Sequence, residues 1–426
     1  MSSIKKCTKN KDKRNRKSYN VFVTHTITHG SECPMNKSIH ESKEICNRLI
    51  ENNLMNAISE YALGYIVSIL ITAFSCGYRG KTVDMARNSD RHRTSISRFL
   101  RYEEWDDSAL EETMRRLVIE IIYGESRKSG MPILFIVDDT ISSKTIPSSK
   151  ASHPIEAASF HFSHLKKKQD YGHQTVSVML SCNGITLNYA IVMYDKSVSK
   201  IDIVKQLAQN LPSAPNPSYL LCDSWYVCGK LMDAFATKGF YTVGALKSNR
   251  ILYPCGMKMN VCEFAKTLSR IALFHIVTVK GRKYYVYRYE GKLNDIEKAV
   301  VLICYPVSAF GQEKALRTFI CTNADLASDE EILNLYAVRW EIEVYFRDCK
   351  NKLAFDKYQI RSANGIKRFW LISSLAYLLA CLESPSFNFS EGYASISQTI
   401  FIERVSFIFD FAQSGGEKSA LLAMVA

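Results

Sequence analysis

The sequence carries 13 cysteines in 426 residues but no C-x-x-C pair. Without that spacing, neither a zinc ribbon nor a thioredoxin-like redox site is expected. The scattered, odd-numbered cysteines read instead as buried, reduced thiols of a cytosolic protein. No apolar run makes a comfortable membrane span. The strongest candidate, residues 61–78 (YALGYIVSILITAFSCGY), is interrupted by Gly64, Ser68, Thr72 and Ser75 and reads as a buried helix. The Lys-rich N-terminus lacks the apolar core of a signal peptide. Internal repeats are missing, and no tryptophan lies between Trp225 and Trp340. Acidic residues are in short supply, with 42 Asp and Glu against 55 Lys and Arg, a formal net charge of +13. A soluble protein with a polyanionic partner fits this balance, since clustered cations neutralise phosphates and release counterions.

Several segments follow from the pattern along the chain. Residues 1–45 read as a basic flexible tail, opening on KKCTKNKDKRNRK. Residues 46–128 show helical periodicity without a strong strand signal. Within them, residues 79–101 predict two short helices around a polar break at Ser89 and Asp90. The second would present Arg91, Arg93, Thr94, Ser97, Arg98 and Arg101 outward, over Ile96, Phe99 and Leu100. Cationic and hydroxyl side chains above an apolar seam suit a DNA-recognition helix. An ordinary amphipathic helix with a solvated basic face has the same pattern.

Past Gly130 the texture changes to alternating strands and helices. Residues 133–137 (ILFIV) and 219–222 (YLLC) are short continuous apolar runs, expected of strands buried on both faces. Between them, Asn183–Gly184 predicts a hairpin turn joining strands at 175–180 and 185–193. Residues 250–325 turn β-rich, with a hairpin expected to close at Gly281. One long helix is expected from about Ser328 to Leu353, and a second, buried, at 370–382 (WLISSLAYLLACL). The pattern predicts an α/β fold with a mixed sheet, flanking helices and an all-α N-terminal region. The segments read as 129–249 and 326–385 for the two parts of the α/β domain, 250–325 for a β-rich insertion, and 386–426 for a C-terminal stretch.

Acids stand at telling places. Asp138 and Asp139 follow ILFIV directly, and Asp223 follows YLLC directly. Open α/β sheets build their sites where strands end and side chains emerge into a crevice. An acid there can equally be a turn residue or a helix cap. On the helix LNLYAVRWEIEVYFRDCKNKL, a rotation of about 100° per residue gathers Leu335, Val338, Ile342, Phe346, Cys349 and Leu353 on one arc. Tyr336, Glu343, Arg347 and Lys350 share the arc beside it, with Arg339 at the border. A carboxylate among three cations at the edge of an apolar seam can hold a divalent ion against a phosphate backbone. A solvated face with a Glu343–Arg347 ion pair looks the same from sequence.

The spacing Tyr336-x2-Arg339-x3-Glu343-x6-Lys350 resembles the Y-R-E-K signature of a large group of bacterial insertion-sequence transposases with a DDE catalytic triad. VDDT (137–140) resembles that group's first-aspartate motif. CDSWY (222–226), with GALKSNR (244–250) after it, resembles the second. The resemblance covers roughly residues 80–380. It implies an RNase H-like fold in which Asp138, Asp223 and Glu343 bind two Mg²⁺ ions, which Mn²⁺ can replace. Such a pair activates a water or 3′-hydroxyl on one side of a phosphodiester and stabilises the leaving oxygen on the other. Hard oxygen ligands suit that ion. Arg339 and Lys350 are then expected to grip phosphates, with Tyr336 beside them; Arg347 joins them by its place on the same face.

Between Asp138 and Asp139 the first position of the motif favours Asp138. The implied activity is cut-and-paste transposition on double-stranded DNA, at terminal inverted repeats and a target, by a homodimer in the DNA complex. The implied location is the bacterial cytoplasm, at the nucleoid. A nuclease or resolvase without strand transfer and an inactive DNA-binding relative are the alternative readings. His161, His164 and His173 could form a metal set, but beside Lys166, Lys167 and Lys168 they read as a DNA-facing or structural loop.

Overall fold

The computed structural model describes residues 42–425 apart from 164, 165, 269, 295 and 324–327. Most of the basic tail, and His164 with it, therefore lies outside the described residues. The described residues begin with five α-helices: α1 (Lys43–Glu51), α2 (Glu60–Ala73), α3 (Thr82–Arg87), α4 (Arg93–Arg101) and α5 (Asp107–Ser129). Then come β1 (Leu134–Ser143), β2 (Ser159–Ser163), β3 (Lys168–Cys182), β4 (Ile185–Tyr194), α6 (Lys200–Gln209), β5 (Ser218–Cys222), α7 (Gly229–Ala236) and β6 (Phe240–Ala245). The β-rich stretch holds β7 (Ile251–Leu252), β8 (Met259–Asn260), α8 (Val261–Thr267), β9 (His275–Val279), β10 (Arg282–Leu293), β11 (Ile296–Pro306) and β12 (Arg317–Cys321). The described residues end in five α-helices: α9 (Asp329–Val338), α10 (Trp340–Lys352), α11 (Ala363–Glu383), α12 (Phe389–Gln413) and α13 (Lys418–Val425).

Among the described residues the strands form one 12-stranded mixed sheet. β1 runs antiparallel to β3 and parallel to β5, and β5 runs parallel to β6. This mixed sheet, its flanking helices and the helical N-terminal region agree with the expected RNase H-like architecture. β12 then pairs antiparallel with β6, and β11 with β12. The β-rich stretch therefore extends the same sheet.

Local sequence accounts for the main elements. ILFIV is buried at every position because β1 lies inside the sheet with helices over it. Asn183 and Gly184 both take positive φ (49° and 83°), the requirement of a two-residue turn matching strand twist. Val204, Leu207, Ala208 and Leu211 are buried as their helical spacing predicts. The helix with the expected 370–382 core is longer than its apolar run, and Ser362 caps its start. It is the one helix among the described residues long and apolar enough to cross a membrane, and most of its apolar stretch is buried within the fold.

Three expectations need correction. The acids at 138 and 139 do not follow a finished strand, because β1 continues to Ser143. β3 is long enough to pair with β1 as far as Ser143↔Gly172, so backbone pairing outlasts the apolar run. The sequence pattern after YLLC predicts a helix from about Trp225 to near Gly239, but the helix starts at Gly229, because Asp223 Oδ1 accepts from the N–H groups of Trp225 and Tyr226 (2.9 and 3.3 Å) and holds a turn there. The long helix is two helices joined at Arg339. There the bonds from Arg339 N–H to the Tyr336 carbonyl and from Ile342 N–H to the Arg339 carbonyl span three residues, which tightens the turn.

Candidate active site

Pairing on the two edges of β1 opens the site. Its parallel pairing with β5 covers only Leu134 to Ile136, whereas its antiparallel pairing with β3 continues for seven more residues on that side. Beyond Ile136 the β5 side is therefore open. Asp138 emerges there, Asp223 stands just after β5, and Glu343 comes from the first turn of α10. All three line one groove of about 1010 Å³, together with Arg339, Arg347 and Lys350.

The groove carries unequal charges. Arg339 Nη1 meets Asp138 Oδ2 at 2.5 Å, and its Nη2 reaches Glu343 Oε1 at 3.4 Å. Both groups of the first pair are largely covered, with 16% and 15% of their side chains exposed. Burial is the strongest influence on Arg339 and opposes its charge, but the facing Asp138 carboxylate together with Tyr336 and Glu343 outweighs it and keeps the guanidinium protonated beyond its ordinary range. For Asp138, burial is the strongest influence. With the Asp223 and Glu343 carboxylates it prevails over the pull of Arg339 and the Asp139 N–H, and the group is pushed up to about 7.

A stability effect follows. An unfolded aspartate ionises near 4, so between about 4 and 7 folding takes up a proton at Asp138, and stability falls as pH rises through that window. Asp138→Asn is expected to match the parent near pH 4 and to exceed it by a few kcal/mol, in order of magnitude, near pH 8. Urea unfolding at the two pH values measures this. A gap of equal size at both would show that Asp138 ionises at its ordinary value.

Asp139 points away from this pair and is already engaged. Gln174 Nε2 and Lys200 Nζ donate to it at 2.6 and 2.7 Å, and Tyr226 Oη at 3.3 Å. Burial, and next the Asp139 charge, hold the Tyr226 hydroxyl in its protonated donor form. Alternation along β1 thus separates the two neighbours, with Asp138 toward α10 and Asp139 toward α6.

The other residues singled out by sequence divide. Lys350 donates to Thr140 Oγ1 at 2.8 Å beside the acids; burial lowers its basicity, opposed by Asp356 and Glu343. Arg347 sits at the rim with 60% of its side chain exposed, beside Asp348 at 3.4 Å. Tyr336 lies behind Arg339, packed on Phe319 with ring centroids 4.7 Å apart, and lines a neighbouring cavity. Arg91, Arg93 and Arg98 do not line the groove. Ile96, Phe99 and Leu100 are buried beneath α4 as expected, and Arg93 and Arg98 are exposed. Arg91 precedes that helix and lies over the Tyr65 ring at 3.9 Å.

His161 and His173 belong to strands. His161 bonds Ser159 Oγ, and His173 lies between the Glu156 carbonyl and Tyr358 Oη. Sequence reasoning missed Lys200, Gln174 and the exposed ring of Trp225. Lys200 has the appearance of any first-turn helix lysine, and only the fold carries it to Asp139.

Carboxylate oxygens from three elements around one groove suit a hard divalent cation. Arg339 now bridges two of them, and among the described residues no group of three His, Cys, Asp or Glu side chains is arranged to hold a metal. The set fits such an ion by donor type and by the crowding of three carboxyl groups, two of which Arg339 answers here. A sequence model of one family, described as a transposase DDE domain, matches residues 129–379, more than half of the chain. No curated protein matches it.

Proposed function

The chain belongs to the DDE transposase family, and from that membership we propose that it cuts and joins DNA at transposon ends by a cut-and-paste route. The observation that carries this reading is the convergence of Asp138, Asp223 and Glu343, from a strand, the turn after a second strand and a helix, on one groove bordered by Arg339, Arg347 and Lys350. We assign the three acids as the catalytic and metal-holding set. The Tyr336, Arg339, Glu343 and Lys350 arrangement supports placing the chain in the Y-R-E-K group.

This family generally uses divalent ions, and such ions supply charge neutralisation at the attacked phosphate and a more acidic attacking water. The three carboxylates would hold them. The chain's own groups do the rest. Lys350, fixed by Thr140, and Arg347 at the rim offer cations to the DNA backbone. Arg339 is shared between two acids, and a phosphate entering beside them competes for the same guanidinium. Asp139, tied to Lys200, Gln174 and Tyr226, keeps β1 and α6 in place next to the reacting centre.

Residues 46–128 are proposed to recognise the inverted repeats through the exposed face of α4, with Arg93 and Arg98 foremost. Two copies of the chain would bring both ends together.

The direct test incubates the full chain with Mg²⁺ and DNA carrying the sequences that flank its coding region, next to a target plasmid. Nicked ends and joined products are expected. Cleavage without joining would favour a nuclease or resolvase. No cleavage at either flank would overturn the proposal.

A further inference from the structure

The acid-lined groove continues to the edge of the sheet, where β2 is the outermost strand. Alternation along β2 turns His161 inward and sets Phe160 and Phe162 outward, with 48% and 51% of their surfaces exposed. Tyr171 packs against the Phe160 ring with centroids 5.2 Å apart, which steadies the ring and leaves much of it open. Trp225, 42% exposed, stands beside Asp223, with the Lys200 ammonium 5.0 Å from its ring. Lys196 donates to the Phe160 carbonyl at 2.9 Å, and Lys166 bonds Asp170 at 2.7 Å. Phe160, Phe162, Trp225 and the three lysines line the same cavity as the three acids.

Half-exposed aromatic rings set among lysines match the needs of a single nucleic-acid strand, whose bases stack while its phosphates are neutralised. Intact duplex offers no such match. Its outer surface is sugar and phosphate, and its base faces are covered except at an end or an opened pair. We propose that the β2 edge, centred on Phe160 and Phe162, binds a short run of unpaired nucleotides next to the bond being cut, with Lys166 and Lys196 on their phosphates. The inference rests on reading the groove as a DNA-cutting site.

The test measures binding by the full chain without added metal. One probe is a blunt duplex; the other is the same duplex with a short unpaired thymine tail containing 2-aminopurine. The parent is expected to prefer the tailed probe and to quench the 2-aminopurine by stacking. The double variant Phe160→Ala, Phe162→Ala should bind the tailed probe about ten-fold or more weakly, with blunt binding unchanged. Phe160→Trp with Phe162→Trp should restore both preference and quenching, which recovered folding alone does not produce.

Equal binding of the two probes by the parent overturns the inference, and so does a preference that survives the alanine variant. Conversion of a dimer to a monomer by the alanine variant, seen in sedimentation, would instead make the rings a contact between copies. If the parent cleaves its flanking DNA yet shows no tail preference, this inference alone fails. If it neither binds nor cleaves that DNA, the functional reading fails with it.

Discussion

Replacing Glu343 with Gln is expected to reduce metal-dependent cleavage by roughly 10³-fold or more, the scale of losing one preorganised charge-stabilising group, while DNA binding changes by only a few-fold. The substitution keeps size, hydrogen-bonding capacity and helix preference, and removes a single negative charge. Glu343 adds little to the core, since 40% of its side chain is exposed. Its bond to Arg339 is the long one at 3.4 Å, and the short bond from Arg339 to Asp138 remains. The fold and the cations bordering the groove should therefore persist. Cleavage of end-labelled DNA on a gel and fluorescence anisotropy of the same DNA separate the two quantities. Retained cleavage would remove Glu343 from the catalytic set. Loss of binding and cleavage together would make it a structural residue.

A second large effect lies away from the groove. Arg368→Ala is expected to cost about 3–5 kcal/mol of stability, the range for removing one partner of a buried, hydrogen-bonded charge. Only 8% of the Arg368 side chain is exposed, and it pairs with Asp107 at 2.7 Å. It also donates to the carbonyls of Glu103 (2.8 Å), Phe99 (3.3 Å) and Trp105 (3.4 Å), and lies over the Trp105 ring. One guanidinium on α11 thus satisfies the turn between α4 and α5. Truncation leaves an unpaired carboxylate and several covered carbonyls. Urea unfolding reads the change directly, and a loss below about 1 kcal/mol would place Arg368 with ordinary surface pairs. Sequence gave no sign of this, because Arg368 sits among the polar residues that open an apolar helix.

Sequence made the sheet legible where burial is continuous. ILFIV and YLLC are short, apolar on every side, and end at acids, so both strands and the crevice between them could be read. The Asn183–Gly184 turn was legible because only a few residue types accept two positive φ values in succession. The length of β1 past Asp138 was not, because that stretch is held by backbone pairing to β3 and needs no apolar side chains. The break at Arg339 was hidden as well, since helical periodicity runs through it almost unchanged. Within the groove, the charged residues of α10 were visible as one face, but their partners on β1 depend on chain crossings that no local pattern encodes. The aromatic edge at Phe160 and Phe162 was not legible, because alternation over five residues is a short signal beside a run of lysines.

The unequal pairing of β1 has a mechanical consequence. Clamped by β3 along its whole length and released by β5 after Ile136, the strand behaves as a rail fixed on one side. Asp138 therefore moves only if β3 moves with it. The Asp223 turn and α10 are tied to β1 at this level by side chains, Tyr226 to Asp139, Arg339 to Asp138 and Lys350 to Thr140, and not by backbone pairing, so any widening of the groove displaces them first and the rail keeps its place.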